Sequence, residues 1–226
     1  MNADVPTVRP GWPEIATGLL TLSVVGIGGA FGLVRLDINP VALGLILAGL
    51  SGVGGMAGFA SACMLRLRTL SAFGVRCASA RWILVGAAVG LAAFVAKAIA
   101  ILGYVALTGD RRMPQDIYAT GASGGPWTVV AGMFLLGVIT PIGEEFLFRG
   151  VVTSALLRYG PLVGVVGGAF AFAIFHGVNM VFPAALVTGL AAGEVFRRSG
   201  SIWPAVTVHA VVNLPTIPVM LLASAA

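Results

Sequence analysis

Glu144 and Glu145 stand side by side in an apolar run from Trp127 to Leu157, in a chain of 226 residues with only eight acids. Arg149 follows Glu145 by four residues, Phe172 precedes His176 by four, and His209 precedes Asn213 by four. On helices each such pair shares a face, so Glu145 and Arg149 are placed to form an ion pair that lowers the cost of burying either charge. Glu144 points about 100° away around the same helix and is left for another partner. The chemistry this set suits is hydrolysis. A carboxylate takes a proton from water, a histidine positions that water or protonates the leaving group, and a His/Asn pair donates hydrogen bonds to a developing oxyanion. The same groups also suit a purely structural role, tying helices together, but ionisable residues within a membrane are a functional hypothesis by default.

Three elements must carry these residues, and their depths can be compared. Glu144 lies fourteen residues before Arg158, and His176 fifteen after Pro161. Both are therefore expected roughly 21 to 23 Å along neighbouring antiparallel helices, facing each other. His209 and Asn213 lie seven and eleven residues past Ile202, nominally roughly 10 to 17 Å deep. Phe172 reads as a packing residue whose ring shapes the pocket, and Glu194, three before Arg197, as half of a local pair.

The surrounding composition excludes a water-soluble globule: 58% of residues are hydrophobic and 9% charged, with a mean hydropathy of +1.03. Apolar runs of twenty or more residues without period-2 alternation predict an all-α polytopic bundle rather than a barrel. About seven transmembrane helices are expected, over residues 15–34, 41–65, 82–107, 127–159, 162–178, 183–196 and 202–222, with an eighth crossing or re-entrant piece left open. The chain reads as one membrane domain over 1–226, in which residues 15–108 are packing helices and 125–222 hold the polar site. The first span lacks the basic start and cleavage site of a signal peptide and is expected to stay in the mature protein.

Arg66, Arg68, Arg76 and Arg81 crowd one connection, and Arg158, Arg197 and Arg198 fall on the same side. This predicts a multi-pass protein of the inner (plasma) membrane with its N-terminus in the cytoplasm. The net charge of +5 is spread over short loops and so gives no nucleic-acid partner. Leu65, Leu67, Leu70 and Phe73 interleave with the first basic cluster, as in a segment lying on the membrane surface, and residues 109–126 read as an exposed loop. Lys97, well inside the third span, is expected to pair with an acid or to face a wet cavity. Glycine pairs at 28/32, 54/58, 86/90, 164/168 and 189/193 predict close helix packing. The run Gly52-Val53-Gly54-Gly55 has neither the strand nor the later acid of a dinucleotide site. Cys63 and Cys77 have no metal-ligand spacing and read as structural thiols.

Glu144-Glu145-x-x-x-Arg149, Phe172-x-x-x-His176 and His209-x-x-x-Asn213 resemble the three ordered motifs of the CPBP family, the CAAX prenyl endopeptidases and bacteriocin-processing (Abi) proteins, over about residues 125–220. The resemblance implies a bacterial-type intramembrane endopeptidase in which Glu144 and His176 activate water, His209 and Asn213 bind the oxyanion, and Glu145, Arg149 and Phe172 support the site. It implies a peptide or lipidated-protein substrate in or at the bilayer, cleaved near the cytoplasmic side. Prenylation of that substrate follows only from eukaryotic members. Family members are often labelled metalloendopeptidases, and Glu144, His176 and His209 are the residues that would ligate zinc. A glutamate-activated water needs no metal, and the metal-independent scheme is preferred. A non-proteolytic scaffold or immunity-type protein stays open as the alternative, as does a proton-coupled transporter, against which the lack of internal repeats argues.

Overall fold

The computed structural model describes residues 9–224, and the polar start at residues 1–8 lies outside the described residues. These form helices and connecting turns, with no strand among them. In chain order the helices are α1 (Trp12–Leu33), α2 (Pro40–Leu65), α3 (Ala80–Thr108), α4 (Asp116–Ala122), α5 (Pro126–Tyr159), α6 (Pro161–Phe175), α7 (Val181–Ser199) and α8 (Ile202–Ala223). Five of them, α1, α2, α3, α5 and α8, are long and apolar enough to cross a membrane. Of the other two expected spans, α6 has 15 residues and α7 carries Glu194, Arg197 and Arg198 in its last turns. Apolar side chains such as Leu84, Leu91, Ile99 and Leu102 of α3 lie bare on the outside, which suits lipid rather than water.

Local sequence explains where the helices begin and end. Pro40, Pro126 and Pro161 open α2, α5 and α6, where the missing N–H is no loss. The Asn39 side chain caps α2 by accepting from the amides of Val41 and Ala42. Gly200 closes α7 in the left-handed region, at φ 66°, where a side chain would be strained.

Close backbone approach joins two pairs of helices around the polar residues. A Cβ placed on Gly143 would run into the Gly52 backbone, and one on Gly55 would meet the Gly143 carbonyl. Thus α2 lies against α5 at the turn that bears the two glutamates. The Gly86/Gly90 pair seats α3 on the Pro204 to Val211 stretch of α8 in the same way. The Gly28/Gly32 pair packs nothing closely: a Cβ on Gly32 would have no neighbour within 4 Å. Gly52 to Gly55 lie inside α2, so the fingerprint-like run is a packing surface.

Two connections differ from their sequence reading. Residues 109–126 are not simply an exposed loop: α4 forms inside them, and its Gly121 lies backbone to backbone on Gly44 of α2 while Ala122 is buried. Gly and Ala permit that approach, and their lack of bulk is also what made the segment look like a linker. In the 66–81 connection Phe73 is fully buried, edge-on to Phe59 at 5.3 Å; it anchors the segment in the core while Leu70 stays exposed.

The basic turns meet at one end of the bundle. Glu14, fully buried, accepts both Nε and Nη2 of Arg66 at 2.8 Å and also caps α1 through the Gly11 amide. Arg158 donates to the Pro10 carbonyl, Trp12 donates to the Tyr159 hydroxyl, and Ser201 donates to the Arg76 carbonyl. Glu194 pairs with Arg197 and with Arg198 at the same end.

Candidate active site

The two glutamates occupy one α-helical turn, Thr140–Glu145, between two π-helical stretches of α5, Leu135–Ile139 and Phe146–Thr153. Wider turns of this kind recur at functional sites because they re-aim side chains within a continuous helix. Thr140 fixes the turn from outside by donating to the Ala48 carbonyl of α2 at 2.8 Å.

Glu145 is the hub of the buried charges. Its Oε1 lies 2.9 Å from Arg149 Nη1 and 2.8 Å from His209 Nδ1, and all three side chains are buried. Arg149 also donates from Nη2 to the Gly189 carbonyl of α7 at 3.2 Å, and its guanidinium lies over the Phe172 ring at 4.7 Å. Phe172 does more than fill space. Its ring also meets His209 edge-on at 5.5 Å and packs on His176 at 4.6 Å, so it holds both histidines and the arginine in place.

Glu144 is placed differently. It is buried, its Oε2, like Glu145 Oε2, has no hydrogen-bond partner among the described residues, and His209 Nε2 lies 3.8 Å away. Among the described residues no hydrogen bond or ion pair joins Glu144 to His176, whose Nδ1–H instead donates to the Phe172 carbonyl at 2.9 Å. The physical reason is that α6 ends at Phe175 and His176 turns its ring back over the last turn. That bond fixes the tautomer and leaves Nε2 as the free nitrogen of His176. Asn213 donates from Nδ2 to the Leu136 carbonyl in the first π-helical stretch at 3.2 Å, which keeps its second N–H free.

A cavity of about 570 Å³ is lined by Glu144, Phe172, His176, His209 and Asn213. The structure thus brings four of the polar motif residues to one space, with Glu145 and Arg149 behind its wall. The remaining lining runs from the middle of the helices to the end opposite the basic turns, reaching Ala30, Gln115, Met180 and Met220. The cavity is therefore turned away from the basic end.

Two further lining residues among those described carry titratable side chains. Lys97 of α3 donates to the Val212 carbonyl at 2.9 Å and to Thr216 Oγ1 at 3.3 Å. It faces the cavity without an acid partner among the described residues. Tyr118 of α4 lines it too, and burial, then the Glu144 carboxylate, push its phenol up to about 12, so it remains a hydroxyl donor at neutral pH. Tyr118 had no signal in the sequence because its helix reads as a loop.

The donor geometry gives a metal no ready-made ligand set. Among the described residues no three His, Cys, Asp or Glu side chains are placed so that they could hold one metal ion. His209 faces both glutamates, while the Phe172 carbonyl holds His176 and the Arg149 guanidinium occupies Glu145.

Residues 126–215 match the family described as type II CAAX prenyl endopeptidase, Rce1-like. The matched segment contains all three motifs in order, and the match supports the CPBP family. Neither the curated proteins nor the solved structures contain a significant match to the chain.

Proposed function

We propose that this protein is an intramembrane endopeptidase that hydrolyses a peptide bond of a membrane-associated or lipidated peptide with a water activated by Glu144. The observation that carries the reading is the unpartnered, buried Oε2 of Glu144 facing a cavity that His176, His209 and Asn213 also line. A buried carboxylate oxygen left without a partner is costly unless water or substrate satisfies it.

In the proposed sequence Glu144 takes a proton from water as the water oxygen attacks the scissile carbonyl, forming a C–O bond and an oxyanion. His176 Nε2 accepts the water's other hydrogen and holds the water in place. The free N–H of Asn213 donates to the oxyanion, and so does the Nε2–H of His209 in its doubly protonated form, whose Nδ1–H is held by Glu145. Collapse breaks the C–N bond, and the proton held by Glu144 passes to the leaving amine. Glu145 and Arg149 act by holding His209. The scheme routes nothing through a metal.

The same reading gives the membrane orientation. With seven crossings and the basic turns in the cytoplasm, the cavity lies in the outer half of the bilayer and takes its substrate from that side or laterally. Purified protein with Glu144→Gln or His176→Ala is expected to keep its fold and lose cleavage of a fluorogenic lipidated peptide. Full activity in both variants overturns the catalytic assignment. Stoichiometric zinc together with chelator-sensitive activity overturns the metal-free scheme.

A further inference from the structure

Among the described residues, Lys97 is the one charged side chain lining the cavity that the proposed chemistry does not use. It projects from the middle of an apolar, membrane-length helix. Its ammonium has three donors, and two are taken by neutral acceptors, the Val212 carbonyl and Thr216 Oγ1. The Phe94 ring, 5.2 Å away, adds only a weak attraction. No carboxylate pairs with it among the described residues, although Arg149 in the same bundle has Glu145 as its counter-ion. A cation held this deep without a counter-charge is expensive, and an incoming anion relieves that cost.

The position of Lys97 relative to the site is set by α8. His209 faces Glu144 and Glu145, whereas the two acceptors of Lys97 lie three and seven residues further along the same helix. At about 1.5 Å per residue the ammonium is roughly 5 to 10 Å beyond His209, toward the end away from the basic turns. An extended peptide covers about 3.3 Å per residue, so this is a distance of two or three residues.

We infer that Lys97 forms an anion subsite of the cavity that binds a carboxylate of the peptide substrate two or three residues from the scissile bond. Its use in cleavage rests on the protease reading of the same cavity; its binding does not. The carboxylate can be a free C-terminus or an acidic side chain, and both make the same contact with the third ammonium donor.

The test is direct binding to full-length, detergent-solubilised protein carrying Glu144→Gln, so that nothing is cleaved. The probe is an apolar dansylated heptapeptide in three forms: free C-terminal acid, C-terminal amide, and amide with one internal Asp. Fluorescence anisotropy is expected to show at least one acid-bearing form binding about tenfold or more tighter than the plain amide. Preference for the free acid assigns a C-terminus, and preference for the Asp form assigns a side chain. Adding Lys97→Met is expected to remove the preference while leaving the affinity of the plain amide unchanged, and Lys97→Arg to retain it. Equal binding of all three forms, binding of none, or a preference that survives Lys97→Met overturns the subsite. If Lys97→Met does not fold, Lys97→Gln takes its place and is read in the same way. A preference found in a protein that cleaves nothing leaves the subsite standing and removes the protease reading alone.

Discussion

His209 sits between the two glutamates, with Nδ1 2.8 Å from Glu145 Oε1 and Nε2 3.8 Å from Glu144 Oε2. Adjacent acids on one helix thereby serve one imidazole from two directions, yet their environments differ. Replacing each by its amide separates them. Glu144→Gln leaves the Glu145–Arg149 pair intact and is expected to lower kcat by about 10²–10⁴-fold with little change in stability. Glu145→Gln strips the counter-ion from a buried guanidinium and is expected to destabilise the fold by about 3–5 kcal/mol. A thermal scan and a single-turnover assay on both variants check this; similar stability losses in the two would refute the division.

Arg149→Lys keeps the charge but is not conservative. A single ammonium cannot reach Glu145, donate to the Gly189 carbonyl and sit over Phe172 as the guanidinium does. The expected loss is about 1–3 kcal/mol, with α5 and α7 less firmly joined. Chemical denaturation in detergent measures it, and a wild-type midpoint would mean that charge alone matters at this position.

Gly143→Ala and Gly32→Ala test the backbone packing as a pair. A methyl on Gly143 collides with the Gly52 backbone of α2, whereas one on Gly32 meets nothing. The first is expected to cost about 1–3 kcal/mol or more through forced displacement of α2, and the second to be neutral or to stabilise by up to about 1 kcal/mol. Thermal midpoints of the two variants side by side provide the measurement.

Orientation is open to thiol labelling, because Cys77 is an exposed cysteine in the basic connection. A membrane-impermeant maleimide applied to intact cells is expected to leave Cys77 unmodified and to modify a cysteine introduced as Gln115→Cys, beside the cavity, in a chain also carrying Cys63→Ala. Permeabilised cells should label both. Labelling of Cys77 from outside reverses the orientation of the cavity.

Helical periodicity and hydropathy alone determined the helical class, the positions of seven of the eight described helices to within a few residues, and the sharing of a face by Glu145 and Arg149, because each of these depends on residues close in sequence. The three motifs were legible for the same reason: each is a four-residue spacing within one helix or, for Phe172 and His176, across its last turn. The neighbours of each motif were not legible. Counting depth along straight helices set Glu144 opposite His176, but the early end of α6 turns His176 onto Phe172, and His209 meets Glu144 instead. The ion pair of Glu14 with Arg66 spans 52 positions and leaves no local pattern. The burial of α4, the partners of Lys97 and the direction in which the cavity is turned belong to the same class. They follow from which helices approach and how each is rotated, and glycine backbone contacts between distant segments set that rotation, which no spacing within one helix encodes.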